Sequence, residues 1–191
     1  QLGGLSVGMA GDFQAINAAL ALGAARAFLG RDLDPDAAQA ALSGVQLPGR
    51  AEVVQQHPRV ILDGAHNPDK IRGAADTVAR TAGRRIAVVA LKAGKDAGSI
   101  LPIVDQHVDH VILTRFRDKG LWTCVPPEEM RAILPHAEVI EDPDEAVSAA
   151  IDQAGAADTV WITGSLYLIG DVRQRWFPIA ARLAALERDA K

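Results

Sequence analysis

Val60-Ile-Leu-Asp-Gly-Ala-His-Asn-Pro-Asp-Lys70 decides how the rest of the chain is read. Residues 60–62 form the apolar run of a buried strand, and the run stops at a charge, Asp63. A Gly-containing turn follows. A helix then opens at Asn67-Pro68, because Asn is a preferred N-cap and Pro is preferred at the first helical position. The segment sets an Asp, a His and an Asn at the carboxyl end of a strand, beside the free N–H groups of a helix N-terminus. Open α/β sheets bind ligands at that edge, and helix N-termini attract anions.

Outward from this unit, strands and helices alternate from Arg50 onward. Strands are expected at 52–55, 59–63, 85–91, 110–114, 137–141 and 159–163. Several are continuous apolar runs, as parallel strands buried on both faces require. Helices fit at 68–82, 96–106, 127–134, 144–154 and 165–186, with Pro178 kinking or dividing the last. Ile71, Ala74, Ala75 and Val78 share one helical face, and Gly83 suits the C-cap. The alternation predicts an α/β fold: a Rossmann-like, doubly wound, mostly parallel sheet with right-handed crossovers.

The first 46 residues differ. Residues 12–29 are Ala-rich and periodic, with Ile16, Leu20, Ala24 and Phe28 on one face and Gly30 closing the helix. A second helix at 36–42 starts at Asp34-Pro35. The two make a short helical hairpin, and Leu47-Pro48-Gly49 reads as a boundary, giving segments 1–46 and 47–191.

The chain has 191 residues, about half of them apolar, which is enough for one full domain plus a smaller piece. A net charge of −4 without a Lys/Arg stripe argues against a nonspecific nucleic-acid binder. The single cysteine, Cys124, excludes an intrachain disulfide and fits a reducing cytoplasm. No signal-like segment or membrane-length apolar run is present. A start at Gln1 suggests part of a longer or processed protein.

Several positions could carry chemistry. Arg50 follows Pro48-Gly49, where close backbone approach and a guanidinium suit a phosphate; a surface arginine is the bland reading. Asp63 could take ribose hydroxyls, a metal or a substrate amine, or simply cap its turn. His66 could orient a carboxylate or move a proton, or only sit at a helix start. Lys92 and Lys95 end another strand, and one of them could bind a carboxylate or phosphate. Ser165, in Thr163-Gly-Ser-Leu-Tyr167, could offer its hydroxyl to an anion or only cap a helix; no Gly-x-Ser-x-Gly elbow supports a nucleophile. Asn17, inside the first helix, could read a base edge. The 115–127 loop, with Trp122, could shape specificity or be a solvent loop with one tucked aromatic. There is no Walker A sequence, no Gly-x-Gly-x-x-Gly after a strand, and no metal-ligand cluster.

Taken together, Phe13-Gln-Ala-Ile-Asn-Ala-Ala-Leu-Ala21, Pro48-Gly-Arg-Ala-Glu52, Leu62-Asp-Gly-Ala-His-Asn-Pro68, Lys95-Asp96 and Ile162-Thr-Gly-Ser-Leu-Tyr167 resemble the C-terminal part of a folylpolyglutamate synthase/dihydrofolate synthase, within the Mur ligase superfamily. Asp-Gly-Ala-His-Asn-Pro favours the folate branch over the peptidoglycan branch. The resemblance implies that residues 1–46 are the last helices of an ATPase domain and that 47–191 are the Rossmann-like C-terminal domain, with the phosphate loop and magnesium ligands upstream. It implies ATP-driven formation of an acyl phosphate on dihydropteroate or a reduced folate, attacked by the amino group of L-glutamate. Asn17, Arg50 and Asp63 would then contact ATP; His66, Lys95 and Ser165 would hold glutamate; Arg50 and His66 would be catalytic. Magnesium would be needed, no metal ligand would lie on this chain, and the enzyme would be a cytoplasmic monomer. The family often has His where Phe13 stands. The competing readings are a Mur-type peptidoglycan-precursor ligase and a noncatalytic Rossmann-like binding module.

Overall fold

The fold is built on one six-stranded sheet in a computed structural model that describes residues 4–117 and 120–179. The strands are β1 (Glu52–Gln56), β2 (Arg59–Leu62), β3 (Arg85–Val89), β4 (His110–Leu113), β5 (Glu138–Val139) and β6 (Thr159–Thr163), in the spatial order β1-β2-β6-β3-β4-β5. Only β1 runs antiparallel, paired with β2 along one edge. β6 is inserted at the centre, with Trp161 between Ile61 and Ala87. All five residues of β6 are buried, which explains why its sequence is a continuous run without alternation.

Helices cover both faces. α3 (Pro68–Ala79), α4 (Ala97–Asp105) and α5 (Pro127–Ile133) pack on one side through Ile71, Leu101 and Met130. α6 (Pro143–Gln153) and α7 (Leu166–Val172) pack on the other through Val147 and Leu168. This division follows from the strand order. The path from β2 through β5 moves outward, the path from β5 to β6 returns, and crossovers of one hand must then lie on opposite faces. The chain thus leaves β2 and its neighbour β6 toward opposite faces, opening a crevice at their carboxyl ends. The helix starts are fixed by side chains: Asn67 accepts from Lys70 N–H at 2.9 Å and Asp142 from Asp144 N–H at 2.8 Å.

The hairpin before the sheet forms as expected, as α1 (Asp12–Leu29) and α2 (Pro35–Gly44). The shared face of Ile16, Leu20, Ala24 and Phe28 points outward. Ile16, Leu20 and Phe28 are 65%, 68% and 90% exposed, and Ala24 is exposed too. The residues that α1 buries are Gln14 and Ala18. Periodicity located the stripe but not the side, because the neighbours α1 has here are α3 and the segment leading to α2. Phe13 covers Gly73 of α3, where a Cβ would meet its ring at 3.1 Å, and Arg80 pairs with Asp12 at 2.7 Å.

Several boundaries also differ. β5 is two residues long, not five, because only Glu138 and Val139 lie in ladder register with β4. The last helix ends at Val172 and passes into a single 3-10 turn at Arg173–Arg175, ahead of Pro178, which disfavours helical backbone at the preceding residue. The remainder of that expected helix, from residue 180, lies outside the described residues.

Arg173 ties this 3-10 turn back to the turn at Pro48-Gly49. Its Nη2 and Nε donate to the two carboxylate oxygens of Glu52 at 2.7 and 2.9 Å, and Glu52 also accepts from Gly49 N–H at 2.9 Å. Both side chains are mostly buried. Truncating one partner strands the other charge and frees the Gly49 turn, so Glu52→Ala should cost about 3 kcal/mol. Urea unfolding of the single and double variants with Arg173→Ala checks this; additive losses would show that the pair is uncoupled.

Candidate functional site at the carboxyl edge of the sheet

The site is assembled by backbone hydrogen bonds that lash three segments together. Leu47 to Arg50 form a turn closed by Arg50 N–H on the Leu47 carbonyl at 3.1 Å, with Pro48 second and Gly49, at φ +68°, third. That is the residue order a type II turn demands. Gly64, just past β2, donates to the Gly49 carbonyl at 2.8 Å. Gly164, just past β6, donates to the Ala65 carbonyl at 3.1 Å. The boundary turn, the end of β2 and the end of β6 are therefore held as one unit.

Asp63 is its central clasp. The residue is 3% exposed. One carboxylate oxygen accepts from Ala51 N–H at 2.9 Å and the other from Ala65 N–H at 2.8 Å. The first bond holds Ala51 at φ +46°, a left-handed conformation unusual for a non-glycine residue. Burial raises the Asp63 carboxyl above 3.8, against the opposing pull of those two N–H groups and of the nearby Arg50 and His66 charges. A carboxyl raised in the folded state binds its proton more tightly than in the unfolded chain. Its stabilising contribution is complete below 3.8 and is lost as pH rises through the folded value. Asp63→Asn should therefore flatten the decline in stability above pH 3.8, while losing one of the two acceptors. Chemical denaturation of both proteins across that range tests it; parallel curves would contradict it.

Asn17, Arg50 and Asp63, three residues singled out from sequence, line one cleft of ≈ 410 Å³ between α1, the boundary turn and α3. Asn17 donates from Nδ2 to Gln14 Oε1 at 3.0 Å. That bond fixes the orientation of both amides: the Asn17 carbonyl oxygen and the Gln14 NH₂ remain available. Gln14 and Lys70 line the same cleft and escaped the sequence reading. Gln14 is marked by its burial.

His66, Lys95 and Ser165 are not in that lining. His66 Nδ1–H donates to the Gly64 carbonyl at 2.8 Å, since a carbonyl can only accept. In the neutral ring this sets the tautomer and leaves Nε2 as an acceptor. Ser165 is buried and caps α7, its Oγ accepting from Tyr167 N–H at 3.1 Å. Lys95 is half-buried in the turn after β3, its N–H on the Lys92 carbonyl at 3.1 Å. The structure thus groups the six residues as three at the cleft and three along the ends of β2, β3 and β6. Among the described residues no cluster of three or more His, Cys, Asp or Glu could hold a metal ion.

The loop after β4 tucks in the fully buried Phe116 and pairs back onto the end of β3: Ala93 N–H donates to the Thr123 carbonyl and Val125 N–H to the Leu91 carbonyl, both at 2.8 Å. This seats Trp122 against Tyr167, with ring centroids 6.2 Å apart, and places Lys92 Nζ 3.5 Å from the Trp122 ring centroid.

Comparison with known proteins agrees with this architecture. Residues 49–166, from the boundary turn to the start of α7, match the Mur ligase, glutamate ligase domain. A Bacillus subtilis dihydrofolate synthase/folylpolyglutamate synthase is 33% identical over 172 residues, covering 86% of this chain and 39% of that protein. The structure of Mycobacterium tuberculosis folylpolyglutamate synthase complexed with ADP superposes with a TM-score of 0.81 at 26% identity, covering 91% of this chain and 42% of the other. The Yersinia pestis bifunctional folylpolyglutamate synthase/dihydrofolate synthase with Mn, AMPPNP and L-glutamate bound gives a TM-score of 0.68 at 28% identity, over 75% and 35%. The chain spans less than half the length of each of these relatives. The sheet order, the crevice beside β6 and a family match spanning more than half of the sequence have one reading: the chain belongs to the Mur ligase family, as its glutamate ligase domain.

Proposed function

We propose that the chain supplies the nucleotide- and glutamate-facing half of an ATP-dependent ligase that adds L-glutamate to dihydropteroate or a reduced folate. The observation that carries the reading is the cleft shared by Asn17, Arg50 and Asp63. It joins an amide, a guanidinium and a carboxyl at the junction between the helical hairpin and the sheet, and the M. tuberculosis relative is complexed with ADP. Asn17 meets the adenine edge, and Arg50 meets the phosphates and the charge that builds up during phosphoryl transfer. Asp63 shapes the pocket as the clasp between its walls. Residues 1–46 belong with an ATPase domain, and 47–191 form the domain that closes on it. Magnesium would be held by residues outside those described and would offset the charge of the nucleotide phosphates.

The transfer leaves ADP and a substrate acyl phosphate. The glutamate amine attacks the acyl carbon, the carbon–oxygen bond to phosphate breaks, and the nitrogen gives up a proton. In this reading the neutral His66 ring, its Nδ1–H held by the Gly64 carbonyl, receives it at Nε2. Ser165 and Lys95 hold the amino acid. None of the helices described is long and apolar enough to cross a membrane, and the reading places the enzyme in the cytoplasm as a monomer. The test is incubation of the complete protein with ATP, magnesium, labelled glutamate and either dihydropteroate or tetrahydrofolate. ATP-dependent formation of a glutamylated folate supports the proposal. Transfer only to a peptidoglycan precursor, or no transfer at all, overturns it.

A further inference from the structure

Lys92 is the cation of this edge that lies on an aromatic ring. Its ammonium lies 3.5 Å from the centroid of the Trp122 ring, and among the described residues no carboxylate pairs with it. Arg115 and Arg117, on the loop beside it, face Glu141 and Asp144. An ammonium on an indole face is attracted to the ring quadrupole, which holds its position while its N–H donors stay open to an anion. The platform is packed from beneath. Trp122 is fixed by the pairing of its loop onto the end of β3, and it rests on Tyr167, whose ring packs on the fully buried Phe116 at 5.2 Å. Tyr167 is also the residue whose N–H binds Ser165 Oγ.

The placement selects a ligand. Lys92 follows β3 and His66 follows β2, with β6 between them. Two strand spacings set these segments about 10 Å apart, on either side of the end of β6. From this geometry, and resting on the ligase reading above, we propose that Lys92, positioned by Trp122, binds the side-chain carboxylate of the incoming dicarboxylic amino acid. The amine then faces His66, and Ser165 lies between them at the end of β6. Lys92 is thus the group that selects glutamate over its neutral isostere, glutamine.

Steady-state kinetics of the complete enzyme, with L-glutamate and L-glutamine varied separately, test the assignment. Lys92→Met keeps the stem packed on Trp122 and removes the charge. It should raise the KM for glutamate about 30-fold, the effect expected of a lost charge-assisted hydrogen bond. The KM for ATP should not change, and the glutamate-over-glutamine ratio of kcat/KM should fall by the same factor. Lys92→Arg should restore most of the preference, and Trp122→Leu should raise the glutamate KM by a smaller factor of about 5. An unchanged glutamate KM in Lys92→Met, with the unaltered enzyme active, overturns the Lys92 assignment alone. Equal losses for glutamate and glutamine overturn it too, because they would mean contact with the carboxylate common to both. No glutamate addition by the unaltered enzyme overturns both this inference and the ligase reading.

Discussion

Arg50→Ala is expected to lower the kcat for glutamate addition by the complete enzyme about 10²–10³-fold, the usual consequence of removing one fixed donor to developing charge. The thermal midpoint should scarcely move. The Arg50 guanidinium has one protein hydrogen bond, from Nη1 to the adjacent Gly49 carbonyl at 3.2 Å, and no ion pair with a carboxylate among the described residues. The turn it sits on is held instead by main-chain bonds and by Glu52. The side chain therefore contributes little to folding and is free to serve a ligand in the cleft it shares with Asn17 and Asp63. Arg50→Lys should recover only part of the rate, because an ammonium lacks the planar fork that engages two phosphate oxygens at once. Calorimetry and initial-rate assays on the same samples separate the two effects. Near-normal turnover in Arg50→Ala would remove the residue from the site, and a large fall in midpoint would make it structural.

The ends of the strands were legible in the sequence and the arrangement of the strands was not. Asp63 after residues 60–62, the Lys92–Lys95 turn and Ser165 after Thr163 are each marked by an apolar run ending in a polar residue, a local signal. That β6 lies between β2 and β3 depends on pairings such as Ile61 with Trp161, 100 residues apart in the chain, which no local pattern encodes. The same distinction runs through the site. Asn67 and Ser165 were readable as helix caps, because capping is settled within three residues. The bond from Ala51 to Asp63, the Glu52–Arg173 pair and the contact between Lys92 and Trp122 are tertiary. For Asp63 the capping alternative was part of the answer, since it takes Ala65 N–H in its own turn. Its second bond, to Ala51, appears only when the boundary turn folds back onto β2. α1 shows the limit of periodicity: a helical stripe is visible in any sequence, but which side meets the protein depends on what lies beside it.

Two glycines at this edge separate stability from activity. Gly164 has φ +94°, and an added Cβ would press on the backbone carbonyl oxygen of Ala90. That oxygen belongs to the end of β3 and cannot swing aside, so the substitution combines left-handed strain with a steric overlap that only a main-chain shift relieves. Gly164→Ala should cost about 3 kcal/mol or more. It should also loosen the Gly164 bond to Ala65 that joins the ends of β6 and β2. Gly64 lies in ordinary backbone territory. Its Cβ would meet the Leu166 side chain, which is half-exposed and can rotate, and would come within 3.0 Å of Arg50 Nη1. Gly64→Ala should therefore cost about 1 kcal/mol while displacing the Arg50 guanidinium, and the complete enzyme should lose rate out of proportion to that small loss. Guanidinium chloride midpoints and glutamate-addition rates, measured for both variants, decide the matter. A stable Gly164→Ala protein would show that the β6 turn can relax, and a fully active Gly64→Ala enzyme would show that the position of Arg50 is not limiting.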